Sequence, residues 1–183
     1  MNLETILTQK GPTILSKWLE LILETYPADA QRFLKKQKNR FANPVGTTIK
    51  SEAENIYKEL LRGMDPERIS LFLDGIIRIR AIQDFTPSQA ISFVFLLKNI
   101  IREEVGKEVR EQQLLDELMI FESRFDEVAL LAFDVYMKCR EKIYEIRANE
   151  TKNQVSRLLS KAGLTCEILG WSPEPKENNS TQS

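Results

Sequence analysis

Acid–base or nucleophilic chemistry in this chain would fall to carboxylates and two thiols, because none of its 183 residues is a histidine. Without histidine there is no Ser-His or Cys-His pair, no ordinary general base near neutrality, and no imidazole ligand for a metal or haem. Glu-x-x-His di-iron sites of helical bundles are excluded for the same reason. The two cysteines, Cys139 and Cys166, have no companions at zinc-ligand spacing. Cys139 continues an apolar row and reads as a small buried hydrophobe rather than a redox sensor. The glycines form neither a phosphate-cradling loop nor a dinucleotide fingerprint. Carboxylates recur at Glu103-Glu104, Asp116-Glu117 and Glu122 to Asp126. A helical i, i+4 pair of them could exchange protons, but mixed charges on helix faces are ordinarily solvation and pairing. The expectation is a protein without metal or cofactor that works by binding rather than by catalysis.

One cluster of charges could bind in its own right. Arg32, Lys35, Lys36, Lys38 and Arg40 precede Asn43-Pro44, where a helix should begin. Helix starts present unpaired N–H groups and the positive end of the dipole, so Lys35, Lys36, Lys38 and Arg40 form a candidate anion or acidic-partner site. The alternative is a solvated basic face.

The elements that would carry these residues are marked by proline. Gly11-Pro12, Tyr26-Pro27, Asn43-Pro44, Asp65-Pro66 and Thr86-Pro87 each precede a stretch of helix formers, and proline is at home in the first helical position. Thr86-Pro87-Ser88-Gln89 adds the capping-box pattern. Gly63, Gly106 and Gly163 supply expected stops. Helices are therefore expected near 13–25, 28–37, 44–62, 66–83, 87–105 and from about 109 onward, after a short one at 3–9. No period-two alternation or hairpin signal appears, so the fold class is all-α. The run Ala90 to Leu97 is apolar nearly all round and belongs at the centre. Ile69, Leu73, Ile76, Ile77 and Ile79-Arg80 share a helix with Arg68, Asp74 and Arg78, giving an amphipathic layer in which Gly75 predicts a close crossing.

The last long segment places Leu114, Leu118, Phe121, Phe125, Val128, Ala132, Val135 and Cys139 at alternating spacings of four and three. That is a heptad seam, readable as a dimer contact or as internal packing. Leu115, Met119, Ala129, Tyr136 and Ile143 widen the apolar face beyond what one partner helix needs. A break is expected at Arg147-Ala148-Asn149-Glu150-Thr151. The organisation read from this is a helical domain at 1–146, a helical extension at 147–171, and a disordered tail at 172–183, where apolar anchors are missing.

Charge and hydropathy narrow the partners. Lys and Arg total 26 against 27 Asp and Glu, a formal net charge of -1, so a nucleic-acid partner is not expected. The longest apolar run is far short of a membrane span, and Met1-Asn2-Leu3-Glu4-Thr5 does not begin a secretory signal. Sparse cysteine fits a reducing compartment, so a cytoplasmic location is expected.

The stretch Arg40-Phe41-Ala42-Asn43-Pro44-Val45-Gly46-Thr47-Thr48-Ile49 stands between Trp18 and Phe33 on one side and Ile56-Tyr57 and Leu60-Leu61 on the other. It resembles the N-terminal domain of RsbRD-type RsbT co-antagonist proteins, relatives of the stressosome sensor subunits, over about residues 13 to 146. The motif is Phe41, Asn43, Pro44, Val45, Gly46 and Ile49. Read from the residues alone, Asn43 caps a helix that Pro44 opens, and Gly46 lets another backbone approach. The resemblance implies a single globin-like, haem-free helical bundle that senses or recruits. It also implies a homodimeric module, acting here in trans, since no strand–helix alternation follows to build the family's STAS domain.

The function expected is a non-enzymatic regulatory or sensory protein-interaction module in signal transduction or stress response. Its partner-binding residues would be Leu118, Phe121, Phe125, Val128, Ala132 and Val135. One alternative is a small accessory subunit of a larger enzyme or redox complex. Another is a sensor of a small apolar ligand, with a pocket lined by Trp18, Phe93 and Phe95.

Overall fold

A computed structural model describes residues 2–36, 42–83 and 85–163, of which the side chains of Lys35 and Lys36 are not described. Among the described residues there are six helices and no strand: α1 (Leu3–Glu24), α2 (Ala28–Lys36), α3 (Pro44–Arg62), α4 (Pro66–Ile82), α5 (Pro87–Glu111) and α6 (Leu115–Lys161). The all-α expectation holds. The segment expected to be a disordered tail, 172–183, lies outside the described residues.

Local chemistry explains most helix starts. Asn2 caps α1 by accepting from the Thr5 N–H at 3.0 Å, and Asp65 caps α4 through the N–H groups of Glu67 and Arg68. At α5 both halves of the capping box form: Thr86 accepts from the Gln89 N–H, and Gln89 accepts from the Thr86 N–H at 3.1 Å. Asn43 is buried and serves two helices, its Oδ1 accepting from the Gly46 N–H at 2.8 Å and its Nδ2 donating to the Leu34 carbonyl at 2.9 Å. Gly46 is therefore small for a reason other than backbone approach. A Cβ there would lie 2.4 Å from Asn43 Nδ2 and 2.8 Å from Oδ1, in the space the capping amide occupies.

Three sequence expectations are corrected. Pro12 lies inside α1 instead of opening a second helix. Pro12 is exposed, as is Thr8, whose carbonyl loses its helical partner to the proline and faces water. The buried row Leu3, Ile6, Leu7, Ile14, Trp18 and Ile22 holds both halves on one core. Gly106 does not stop α5, which continues to Glu111 and ends where Gln113 turns left-handed at φ 55° and the Leu114 N–H bonds the Val109 carbonyl. Nor does α6 break at 147–151. That stretch is polar but holds no glycine or proline, and it stays helical on an exposed face.

By internal contacts the chain divides into Met1–Ile143 and Tyr144–Ser183. In the first unit α1 packs on α5 and α3, and α3 packs on α4. Trp18 stacks on Phe93 at 6.1 Å and donates its indole N–H to the Phe93 carbonyl at 2.7 Å. Burying such a side chain and pairing its one polar atom is the arrangement that loses about 3–5 kcal/mol on truncation to Ala. The Tyr57 hydroxyl donates to the Leu7 carbonyl at 2.8 Å, with its ring edge against Gly11. The close crossing expected at Gly75 is made with α3, where a Cβ on Gly75 would lie 2.8 Å from Glu52 Cγ. In the second unit the described residues to 161 are helical and nearly all exposed.

Candidate functional site

The seam residues come together, but in the chain's own core. Leu118, Phe121, Phe125, Val128, Ala132 and Val135 are all buried, Phe125 fully so. Phe121 and Phe125 meet edge to face at 5.6 Å. The expectation that these six form an exposed contact is corrected. A stripe at helical spacing buries against whatever lies nearest, and here that is the rest of the same unit.

Long side chains hold α6 in place. Arg124 donates to the Leu60 carbonyl and lies 5.4 Å from the Phe121 ring. The Tyr136 hydroxyl donates to the Phe85 carbonyl at 2.7 Å, and Arg140 donates to the Ala81 carbonyl at 3.1 Å. Leu60 and Ala81 stand in the last turns of α3 and α4, where carbonyls lack helical partners and the dipole favours a cation. Several of the carboxylates considered for proton exchange serve as ties: Glu122 pairs with Arg102, Asp126 with Lys98 at 3.2 Å, Glu104 with Lys17. Glu117 accepts from the Leu3 N–H at 3.0 Å. Among the described residues no group of three His, Cys, Asp or Glu could hold a metal ion.

The outer face of α6 within this unit is apolar without being packed. Leu130 is 70% exposed, Phe133 44% and Met137 38%, at i, i+3 and i+7, and Leu115 and Met119 extend the row toward the helix start. On another flank of the helix a groove of about 620 Å³ runs between α4 and α6, lined by Leu71, Asp74, Leu131, Val135 and Lys138. Leu71 is 72% exposed. The heptad reading missed this row because the buried seam gave the stronger period. Of the second stripe, Ala129 and Tyr136 are buried, whereas Leu115 and Met119 are exposed.

Other candidates are sorted by position. Cys139 is half-buried with Sγ 3.8 Å from Asp74 Oδ1. Burial first, then the Asp74 carboxylate, push its thiol above the ordinary value, as suits a packing residue. Cys166 lies outside the described residues, as do Lys38, Arg40, Phe41 and the side chains of Lys35 and Lys36. Of the motif residues described, Asn43 and Pro44 form the cap, Val45 is half-buried and Ile49 is fully buried. The pocket expected from Trp18, Phe93 and Phe95 is not formed by them: the first two close on each other, and Phe95 is exposed.

A last feature concerns charge. Arg80, in the final turn of α4, is fully buried. Its guanidinium carbon lies 5.5 Å from the Tyr26 ring, 5.1 Å from Phe85 and 5.2 Å from Phe93. Nη1 donates to the Gln89 carbonyl at 3.0 Å, and Nη2 to Thr25 Oγ1 at 3.0 Å. Desolvating a guanidinium costs several kcal/mol, and each ring returns about 0.5–2. Burial accordingly holds its pKa below the ordinary value.

Residues 12–151 match the model of the RsbT co-antagonist protein rsbRD N-terminal domain. The chain is also similar to an uncharacterized protein of Archaeoglobus fulgidus, 26% identical over 140 residues that cover 75% of this chain and 82% of the relative. No solved structure matches. No helix among the described residues is long and apolar enough to cross a membrane.

Proposed function

The chain belongs to the family of RsbT co-antagonist protein rsbRD N-terminal domains, and from that premise we propose that it is a regulatory protein-interaction module of signal transduction. It acts in the cytoplasm, by binding and not by catalysis, and it pairs with a second copy of itself. The observation that carries this reading is the exposed apolar row Leu130, Phe133 and Met137 on α6. A contiguous apolar surface that the fold does not need for its own core marks a contact site.

Charge favours a second copy as the occupant. Along α6 in the first unit, Asp116, Glu127 and Asp134 come first, and Lys138 and Lys142 follow. Two copies laid antiparallel along this face set the acidic stretch of each toward the basic stretch of the other, which steers association and fixes register. Analytical ultracentrifugation at micromolar concentration tests the proposal. The full chain is expected to sediment as a dimer, and Phe133→Glu with Met137→Glu as a monomer of unchanged helicity. A wild-type monomer, or a dimer indifferent to both substitutions, would refute it.

A further inference from the structure

The exposed row of α6 has a counterpart on α5. Three ties fix the register of these two helices and show them to run antiparallel: Arg102 pairs with Glu122, Lys98 pairs with Asp126 at 3.2 Å, and the Tyr136 hydroxyl donates to the Phe85 carbonyl at 2.7 Å, just ahead of α5. On α5, Arg102 and Lys98 share one face with Phe95 and Ile91, at spacings of four, three and four. On α6, Glu122 and Asp126 share a face with Leu130, Phe133 and Met137, at spacings of four, four, three and four. The two rows therefore run side by side, as ion pairs at one end and as apolar side chains at the other. In that register Phe95 stands level with Leu130, and Ile91 with Phe133. Phe95 is 44% exposed and Ile91 half-buried, so the apolar end remains open to water across both helices.

The order of features along α6 selects the occupant. Leu130 lies three residues before Phe133 and Met137 four after it. On the flank of α6 turned away from α5, the exposed Glu127 lies six residues before Phe133 and the exposed Lys138 five after it. A second copy laid antiparallel offers the same features in reverse. One register then sets Leu130 against Met137, Phe133 against Phe133 and Glu127 against Lys138, which is the self-complementarity that a two-fold contact requires. Resting on the pairing reading above, we propose that the contact is built from four helices, α5 and α6 of each copy, about a two-fold axis at Phe133. Phe95, level with Leu130, closes over Met137 of the second copy, a sulfur–aromatic contact that also takes the exposed ring out of water.

Sedimentation equilibrium of the full chain and its variants, with helicity checked by circular dichroism, tests the arrangement. Phe95→Glu should weaken the dimer about tenfold or more, as Phe133→Glu does, because each buries a charge in the contact. Leu71→Glu, at an exposed leucine of α4 outside the contact, should leave the dissociation constant within about twofold of the wild type. If Phe95→Glu loses helicity, Phe95→Ser carries that arm. In a chain freed of thiols by Cys139→Ala and Cys166→Ala, Phe133→Cys should form a disulfide-linked dimer under mild oxidation. Leu130→Cys should cross-link only when mixed with Met137→Cys, since a disulfide needs the two Cα atoms within about 7 Å. A wild-type monomer would remove the pairing and this arrangement with it. A dimer that Phe133→Glu dissociates and Phe95→Glu does not would leave α6 as the contact and overturn the part given to α5. Absence of cross-linking by Phe133→Cys, or ready cross-linking by Leu130→Cys alone, would overturn the axis.

Discussion

Replacing either of two phenylalanines eight residues apart on α6 should have opposite consequences, and the contrast tests which face of that helix holds the molecule together. Phe125 is fully buried and stacked edge-on against Phe121, whereas Phe133 is 44% exposed on the outer row. Truncating a buried phenylalanine to alanine removes its transfer free energy and leaves a cavity, together about 3–5 kcal/mol. For a domain near 150 residues each kcal/mol moves the melting temperature by about 2–4 °C, so Phe125→Ala should melt roughly 6–20 °C lower. Phe133→Ala gives up little core and should change stability by less than about 0.5 kcal/mol under dilute conditions. Urea unfolding followed by circular dichroism at 222 nm, at two protein concentrations tenfold apart, reads both effects. Phe125→Ala should shift the midpoint at either concentration. Phe133→Ala should instead remove the concentration dependence of the wild type. Equal destabilisation by the two substitutions, or a Phe125→Ala protein as stable as its parent, would mean that the seam is not the core of this unit.

Asn43→Ala removes the α3 cap and the tie to the Leu34 carbonyl together, and should lose about 1–2 kcal/mol in chemical unfolding. Gly46→Ala should lose a comparable amount, because the added methyl displaces that same amide, and the double variant should lose less than the sum of the two. Burial raises the pKa of the Tyr57 phenol far above its ordinary value. A group whose folded pKa is raised contributes stability that is complete below its unfolded pKa, about 10, and is lost as pH climbs beyond it. Unfolding free energy should therefore drop between about pH 10 and 12 in the wild type and less steeply in Tyr57→Phe, read by urea midpoints across that range.

The parts of this fold legible in the sequence are those decided within a few residues. Asn43-Pro44, Asp65-Pro66 and Thr86 to Gln89 carry their cap chemistry in adjacent side chains, and the helices begin there. What failed was decided at a distance. Pro12 reads as a start until Leu3, Ile6 and Leu7 are seen to share one buried row with Ile14 and Trp18. Gly106 reads as a stop, although the turn that ends α5 is made by Gln113. A stripe at helical spacing does not say whether its partner belongs to the same chain, so the buried seam of α6 could be taken for its contact face. The exposed row Leu130, Phe133 and Met137 was hidden behind that stronger pattern. Arg80 was less legible still. In sequence it is one more arginine on an amphipathic helix, and only the convergence of Thr25, Tyr26, Phe85, Gln89 and Phe93 gives it a distinct environment.

The donations of Arg124 to Leu60 and of Arg140 to Ala81 make α6 a clasp on two other helices. A fragment stopping at Glu111 would forfeit more than oily surface. It would also leave the trailing carbonyls of α3 and α4 stripped of the guanidinium groups that quench them. Supplied as a free peptide, residues 115–143 should consequently rebind that fragment in a single register, picked out by two arginines before the greasy side chains have settled.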